Sequence, residues 1–276
     1  MKGRIKAHTW KTKQNIIKTK LLPSFANKKI CDIRPSDIIQ WQNEMMNYKK
    51  NSNGKKYSPT YLKILHNQLS AILNHAVKYY ELSSNPASKV GNMGKSRNGE
   101  MLFWTKSEYL KFADSMLNQP MSYYGFEMLY WCGLRIGELL ALTQADFDFD
   151  KGTVSVSKSY QRLKGEDVVT TPKTEKSNRV IKMPDFLIEG IKDYLKSLYG
   201  LKPTDRIFPV TKSYFHHEMT RGSKEQGVKR IRVHDLRHSH VSLLIDMGFS
   251  AVAIADRLGH ESINITYNYA HLFPSK

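Results

Sequence analysis

Gly133-Leu134-Arg135-Ile136-Gly137-Glu138-Leu139-Leu140-Ala141-Leu142 puts a guanidinium at the head of an otherwise apolar helix. Ile136, Leu139, Leu140 and Leu142 recur at helical spacing and draw the segment into a core. Arg135 cannot shed its charge there and needs an anion. Two anions fit: the nearby Glu138 carboxylate, or a phosphate from outside.

Around this run the sequence predicts helices at about 105–118, opened by a Thr105/Glu108 capping box, at 122–132 and at 135–143. The pattern then alternates, which predicts strands at 153–158 and 179–183 and a third near 167–171. Helices resume at about 185–199, 212–225, 234–247, 250–258 and 262–271. The first hundred residues read as helical throughout. Trp10 to Leu22 is a helix ended by Pro23; Ser36 caps a helix with the stripe Ile38, Ile39, Trp41, Met45 and Met46. Asn51 to Lys56 is a polar basic loop. Ser58-Pro59 starts a long helix to about Leu82, carrying Leu62, Leu65, Leu69, Ile72, Leu73 and Ala76. Asn85-Pro86 ends this unit, and Gly91, Gly94 and Gly99 among polar residues mark a linker. The expected division is 1–92 as a helical domain, 93–102 as linker, and 103–276 as a second domain, mainly helical with a small sheet.

Bulk properties narrow the function. The chain of 276 residues carries 43 Lys and Arg against 25 Asp and Glu, net +18, and 40% of it is hydrophobic. Residues 1–100 hold 19 basic and 5 acidic residues, while 101–276 hold 24 and 20. The basic excess therefore sits in one half, and such a domain usually faces a polyanion. Two cysteines, Cys31 and Cys132, are too few for a disulfide framework or a zinc site. The apolar runs are too short to span a bilayer and no signal peptide opens the chain, so a cytoplasmic protein is expected.

Four further segments carry polar groups that packing alone does not explain. Thr171 to Arg179 is a turn with Lys173, ordinarily just a solvated turn lysine. His234-Asp235-Leu236-Arg237-His238-Ser239-His240 opens an apolar helix, whose N-terminus suits an anion. Its His234 and His238, four apart, raise a zinc alternative, but no third ligand is evident. Leu258-Gly259-His260 reads as a helix C-cap with an exiting histidine. Ile265 to Leu272 contains Tyr267 and Tyr269, two apart and so on different helix sides. Together these supply arginines, a lysine, histidines and a tyrosine without a carboxylate cluster or a P-loop. That set grips a phosphodiester and attacks it without a metal: arginines neutralise the oxygens, a tyrosine is the nucleophile, and histidine and lysine move protons.

The order Arg…Lys…His-x-x-Arg…Leu-Gly-His…Tyr, with tyrosine nine residues after the last histidine, resembles the tyrosine recombinase (phage integrase) family. The wording is closest to integrases of prophages and conjugative transposons of Gram-positive bacteria. The resemblance covers about residues 101–272. It implies a mainly α protein: an all-helical core-binding domain plus a mixed α/β catalytic domain, mostly helical with a small antiparallel sheet. It also implies a site-specific recombinase that cuts and rejoins DNA through a 3′-phosphotyrosine, for integration and excision of a mobile element, with no cofactor and no metal. Tyr269 would be the nucleophile. Arg135 and Arg237 would clamp the scissile phosphate, and Lys173, with Lys176 as runner-up, would be the general acid. His234 would assist proton transfer at Tyr269, and His260 would bond the phosphate. Glu138 would buttress Arg135, and Tyr267 would pack.

The implied partners are double-stranded DNA, further copies of the chain as dimer to tetramer on it, and accessory DNA-bending or excision factors. Lys6, Lys11, Lys13, Lys18, Lys55, Lys56, Lys63, Lys95 and Arg97 are the expected phosphate contacts. The implied location is the bacterial cytoplasm, at the nucleoid when bound. Family members of this type carry a further small N-terminal arm-binding domain, for which the residues before Trp10 are too few. Only seven residues follow Tyr269, which implies either weak docking of a C-terminal tail on a neighbour or a truncated chain. A type IB-like topoisomerase and a non-catalytic DNA-binding regulator are the competing readings.

Overall fold

The computed structural model describes residues 7–50, 54–95, 101–172, 175–259, 262–267 and 269. The chain divides into two compact units, Met1–Glu100 and Met101–Lys276.

In the first unit, α1 (Ala7–Ile16) runs through a π-helical turn, Ile17–Leu21, into α2 (Leu22–Phe25). Pro23 therefore does not end the helix as expected. It falls in the first turn of α2, where its missing N–H is not needed. The next helix, α3 (Pro35–Asn47), is capped at Arg34, not Ser36. Pro35 opens it, and the Arg34 backbone N–H donates to Asp37 Oδ2 at 2.9 Å. The expected basic loop contributes an arm of a hairpin instead: β1 (Lys49–Lys50) pairs with β2 (Lys55–Lys56), with Gly54 at φ +62°.

Ser58 caps α4 (Pro59–Tyr79) by accepting the Tyr61 N–H, and the helix stops three residues before Leu82. Asn85-Pro86 starts a helix rather than ending the unit. Asn85 Oδ1 accepts the Ala87 N–H at 2.8 Å to open α5 (Pro86–Val90), while its Nδ2 donates to Asn74 Oδ1 on α4. The core gathers Ile16, Leu21, Ile38, Trp41, Leu65, Leu69, Leu73 and Ala87. Ile39, expected in this stripe, is exposed.

The second unit opens with α6 (Lys106–Asp114), whose Thr105/Glu108 capping box forms as expected. It is followed by α7 (Pro120–Trp131) and α8 (Ile136–Leu139). A helix to 143 is not observed. After Leu139 the α-type bonding gives way: the Ala141 and Leu142 N–H groups donate to the Glu138 and Leu139 carbonyls, three residues back, and the freed Leu140 and Leu142 carbonyls accept from Arg206 and the Ile207 N–H. Then come β3 (Phe147–Asp148), β4 (Thr153–Val156), β5 (Ser159–Leu163), β6 (Glu166–Thr170) and β7 (Arg179–Lys182).

All strand pairs are antiparallel, in the order β3-β4-β7, with β5-β6 as a separate hairpin. The β3 and β5 strands were not anticipated. Helices α9 (Asp185–Ser197), α10 (Lys212–Glu225), α11 (Asp235–Asp246) and α12 (Ala251–Leu258) follow the predicted places. Of the helix expected at 262–271, the described part is α13 (Asn264–Tyr267). Trp104, Phe112, Phe126, Leu139, Phe208, Phe215 and Leu236 are wholly buried in one core. A second cluster joins Val241, Leu244, Ile245, Ile254, Leu258 and Tyr269. Among the described residues no helix is long and apolar enough to cross a membrane.

Candidate active site

Gly133 turns the chain from α7 into α8 at φ +62°, and a Cβ there would lie 2.5 Å from His240 Cδ2. The turn leaves Arg135 as the N-cap of α8 in extended conformation. Of the two anions anticipated for Arg135, the Glu138 carboxylate is seen at its side. Glu138 Oε1 accepts from its Nη1 at 2.7 Å, and Glu138 Oε2 accepts its backbone N–H at 2.9 Å. The arginine side chain is nevertheless 38% exposed, whereas Glu138 is 5% exposed. Among the described residues, four of its five N–H groups have no partner, a geometry that suits an external oxyanion.

Glu138 is shared with Arg179, the first residue of β7, which donates from Nη2 at 2.8 Å and from Nη1 at 3.2 Å. Arg179 also donates from Nε to the Arg257 carbonyl on α12, so one buried guanidinium joins β7, α8 and α12. Burial raises the Glu138 pKa. The hydrogen bonds and charge of Arg179, with Arg135 behind them, outweigh burial and hold it at about 2.

Arg237, on the first turn of α11, is buried. Its Nη1 donates to the Gly133 carbonyl at 2.7 Å and its Nη2 to the Leu258 carbonyl at 2.5 Å. These contacts pin it between the α8 turn and the end of α12. Burial and the charges of Arg135 and Arg179 pull its pKa down to about 9, so it stays cationic at neutral pH. Gly259 ends α12 in the left-handed region, where a Cβ would lie 2.6 Å from the Lys176 carbonyl.

Tyr269 is 4% exposed, and burial pushes its hydroxyl up to about 12 despite the Arg237 charge. Its hydroxyl is hydrogen-bonded to His238 Nδ1. On the other side of that ring, Nε2 faces the wholly buried Asp235 carboxylate at 3.7 Å. Asp235 is itself held by Arg232 at 2.7 Å. Burial, then the charges of His234, Arg232 and Arg237, lower His238 to about 4 although Asp235 opposes them. His234, the N-cap of α11, is exposed, with its ring 5.5 Å from that of His238. Crowding by the surrounding protein and the Arg237 charge lower its pKa too.

Of the residues expected from sequence, Arg135, His234, Arg237 and Tyr269 are neighbours near enough to act on one another electrostatically. Lys173 and His260 lie outside the described residues, as do Lys6 and Arg97. Lys11, Lys18, Lys55, Lys56 and Lys95 are exposed on the first unit. Lys63 is half-buried, and Lys13 donates to Gln68 at 3.0 Å. Tyr267 does not pack: it is 53% exposed. Sequence reasoning missed Arg179 and His238 as members of the site. Arg179 sits in an alternating strand, where a basic residue reads as solvent-facing. His238, four residues after His234, reads by spacing as a metal ligand.

A model of the phage integrase family matches residues 103–276. The chain belongs to the phage integrase family. A second family model, the integrase N-terminal SAM-like domain, matches residues 1–46. Among curated relatives, the ICEBs1 integrase of Bacillus subtilis (strain 168) is 34% identical over 223 residues, covering 75% of this chain. This chain spans 60% of the length of that relative and 70% of a prophage phiRv2 integrase of Mycobacterium tuberculosis.

Among solved structures, the Tn1549 transposon integrase in complex with transposon right end DNA has a TM-score of 0.81 at 19% identity. That match covers 100% of this chain and 92% of that one. A lambda integrase dimer bound to a core site has a TM-score of 0.68 at 19% identity, covering 96% and 72%. The mainly helical fold with small antiparallel sheets is thus that of the integrases.

Proposed function

We propose that this chain is the DNA-cutting and core-site-binding part of a site-specific recombinase that integrates and excises a mobile element. The observation that carries the reading is the convergence of Arg135, Arg237 and the buried hydroxyl of Tyr269 around one junction, in a chain with integrase relatives. Arg135 and Arg237 clamp the scissile phosphate and offset the charge of the pentavalent transition state. Tyr269 Oη forms the 3′-phosphotyrosyl bond, and a lysine acid, Lys173, protonates the departing 5′ oxygen. His260 bonds the phosphate and His234 takes part in the proton traffic. Storing the bond energy as a phosphodiester of tyrosine lets strands exchange without ATP.

The partners are duplex DNA and further copies of this chain, as the neighbours bound to DNA as dimers and tetramers suggest. The unit 1–92 supplies non-specific phosphate contacts through its lysines, 93–102 links it to 103–276, and the protein acts in the bacterial cytoplasm. Accessory DNA-bending factors assist assembly.

The test is covalent selection. The protein is incubated with fragments of bacterial genomic DNA, unbound strands are stripped with detergent, and the DNA still attached is sequenced. A single recurring junction attached in the wild type and absent in Tyr269→Phe is the expected result. Attachment that survives Tyr269→Phe assigns the chemistry elsewhere.

A further inference from the structure

We propose that His238 is the base that takes the phenolic proton of Tyr269, and that Asp235 positions it, so that Tyr269, His238 and Asp235 act as one relay. The inference rests on the recombinase reading above and goes beyond it by giving the proton to a residue other than His234.

Three observations carry it. The Tyr269 hydroxyl is bonded to His238 Nδ1, whereas His234 approaches the tyrosine only through the His238 ring among the described residues. An Nδ1 that accepts from a hydroxyl leaves the ring proton on Nε2, and Nε2 faces the Asp235 carboxylate. Asp235 cannot swing away: it is wholly buried, and its oxygens accept the Arg232 side chain and the Arg232 backbone N–H at 2.8 Å. Hydroxyl, imidazole and buried carboxylate in this order are the arrangement that activates a serine in hydrolases. The groups that face His238 are Tyr269 from the C-terminal segment, His234 and Arg232 before α11, and Asp235 and Arg237 on it. Burial first, and then three of these neighbours, disfavour an imidazolium, so His238 is neutral and ready to accept at pH 7.

The step balances as follows. Tyr269 Oη attacks phosphorus, and the P–Oη bond forms as the P–O5′ bond breaks. The phenolic proton passes to Nδ1, and the imidazolium so formed is stabilised by Asp235. The departing 5′ oxygen takes a proton from the lysine acid and leaves as a hydroxyl. On rejoining, the 5′ hydroxyl attacks phosphorus and gives its proton to the lysine amine, the P–O5′ bond forms as the P–Oη bond breaks, and His238 returns its proton to Oη.

Two measurements on the full chain test this. In ¹⁵N-histidine NMR without DNA, His238 is expected as the Nε2–H tautomer at pH 7, and Tyr269→Phe is expected to shift its Nδ1 signal. In cleavage assays on the duplex recovered by covalent selection, His238→Ala is expected to bind like wild type and cleave about 10²- to 10⁴-fold more slowly. His238→Asn, which keeps an acceptor near Nδ1 but is not a base, is expected to stay slow. In both variants the rate should climb about tenfold per pH unit from pH 7 to 9, because tyrosinate must then form by itself, while wild type stays flat. A 5′-phosphorothiolate duplex, whose leaving group needs no acid, should rescue Lys173→Ala and leave His238→Ala slow.

His238→Ala within threefold of wild type, rescue of it by the thiolate, or an unmoved Nδ1 signal in Tyr269→Phe overturns the relay. A wild type that captures no DNA overturns the recombinase reading instead, and the NMR contact is read independently of it.

Discussion

Glu138 is where one carboxylate serves two arginines, and the two pairs differ in energetic weight. The pair with Arg179 is buried on both sides, 5% exposed each. Removing one partner of a buried pair strands the other charge, so Glu138→Ala should cost about 3–5 kcal/mol of folding stability in urea denaturation. Arg135 is more exposed, and exposed ion pairs contribute about 0–1 kcal/mol. Arg135→Ala should therefore leave stability within about 1 kcal/mol while lowering DNA cleavage by a factor on the order of 10²–10³. An equal loss of stability in both variants would return Arg135 to a purely structural role. Arg135 was legible in the sequence because a charge inside an apolar helix is conspicuous. Arg179 was not, because its burial depends on α8 and α12 arriving beside β7.

The Gly133 turn is the element that orients the site. It launches α8, and its carbonyl holds Arg237. Gly133→Ala forces a side chain into the left-handed region, at about 1–2 kcal/mol, and drives Cβ into His240 as well. Gly227 shares φ +62° with nothing within 4 Å, so Gly227→Ala has the backbone strain alone. The midpoint of thermal unfolding should fall clearly further for Gly133→Ala than for Gly227→Ala; equal shifts would contradict the packing argument.

The amphipathic helices α9, α10 and α12 could be read directly, since one face of each meets the core, whereas α11 is buried nearly all round. The end of α8 could not. The apolar run from Gly137 to Leu142 is buried on all sides, so no polar face marks where the helix stops. Strand β3 is two residues long, too short to show a period.

Over the whole molecule, charge and acid response follow from composition and burial. The basic excess of residues 1–100 was plain in the sequence, and it predicts that DNA affinity falls with salt at a slope of about −0.9 per phosphate neutralised. A flat response in anisotropy titrations would contradict that role. Burial holds His240 at about 3 and His238 at about 4, both below the ordinary 6.5. Below pH 6.5 the unfolded chain takes up protons that the folded chain refuses. Stability is thus full above 6.5 and drops by about 1.4 kcal/mol per pH unit for each histidine as pH falls toward 4. Urea unfolding at pH 7 and pH 5 should show that loss.

The recombinase reading requires a covalent bond between Tyr269 and a DNA 3′ phosphate. Detergent-trapped complexes, digested with nuclease and protease, would be read by mass spectrometry. A nucleotide 3′-phosphate mass on Tyr269 is expected; a modification on Tyr267 or any other residue, or none at all, would overturn the assignment of the nucleophile.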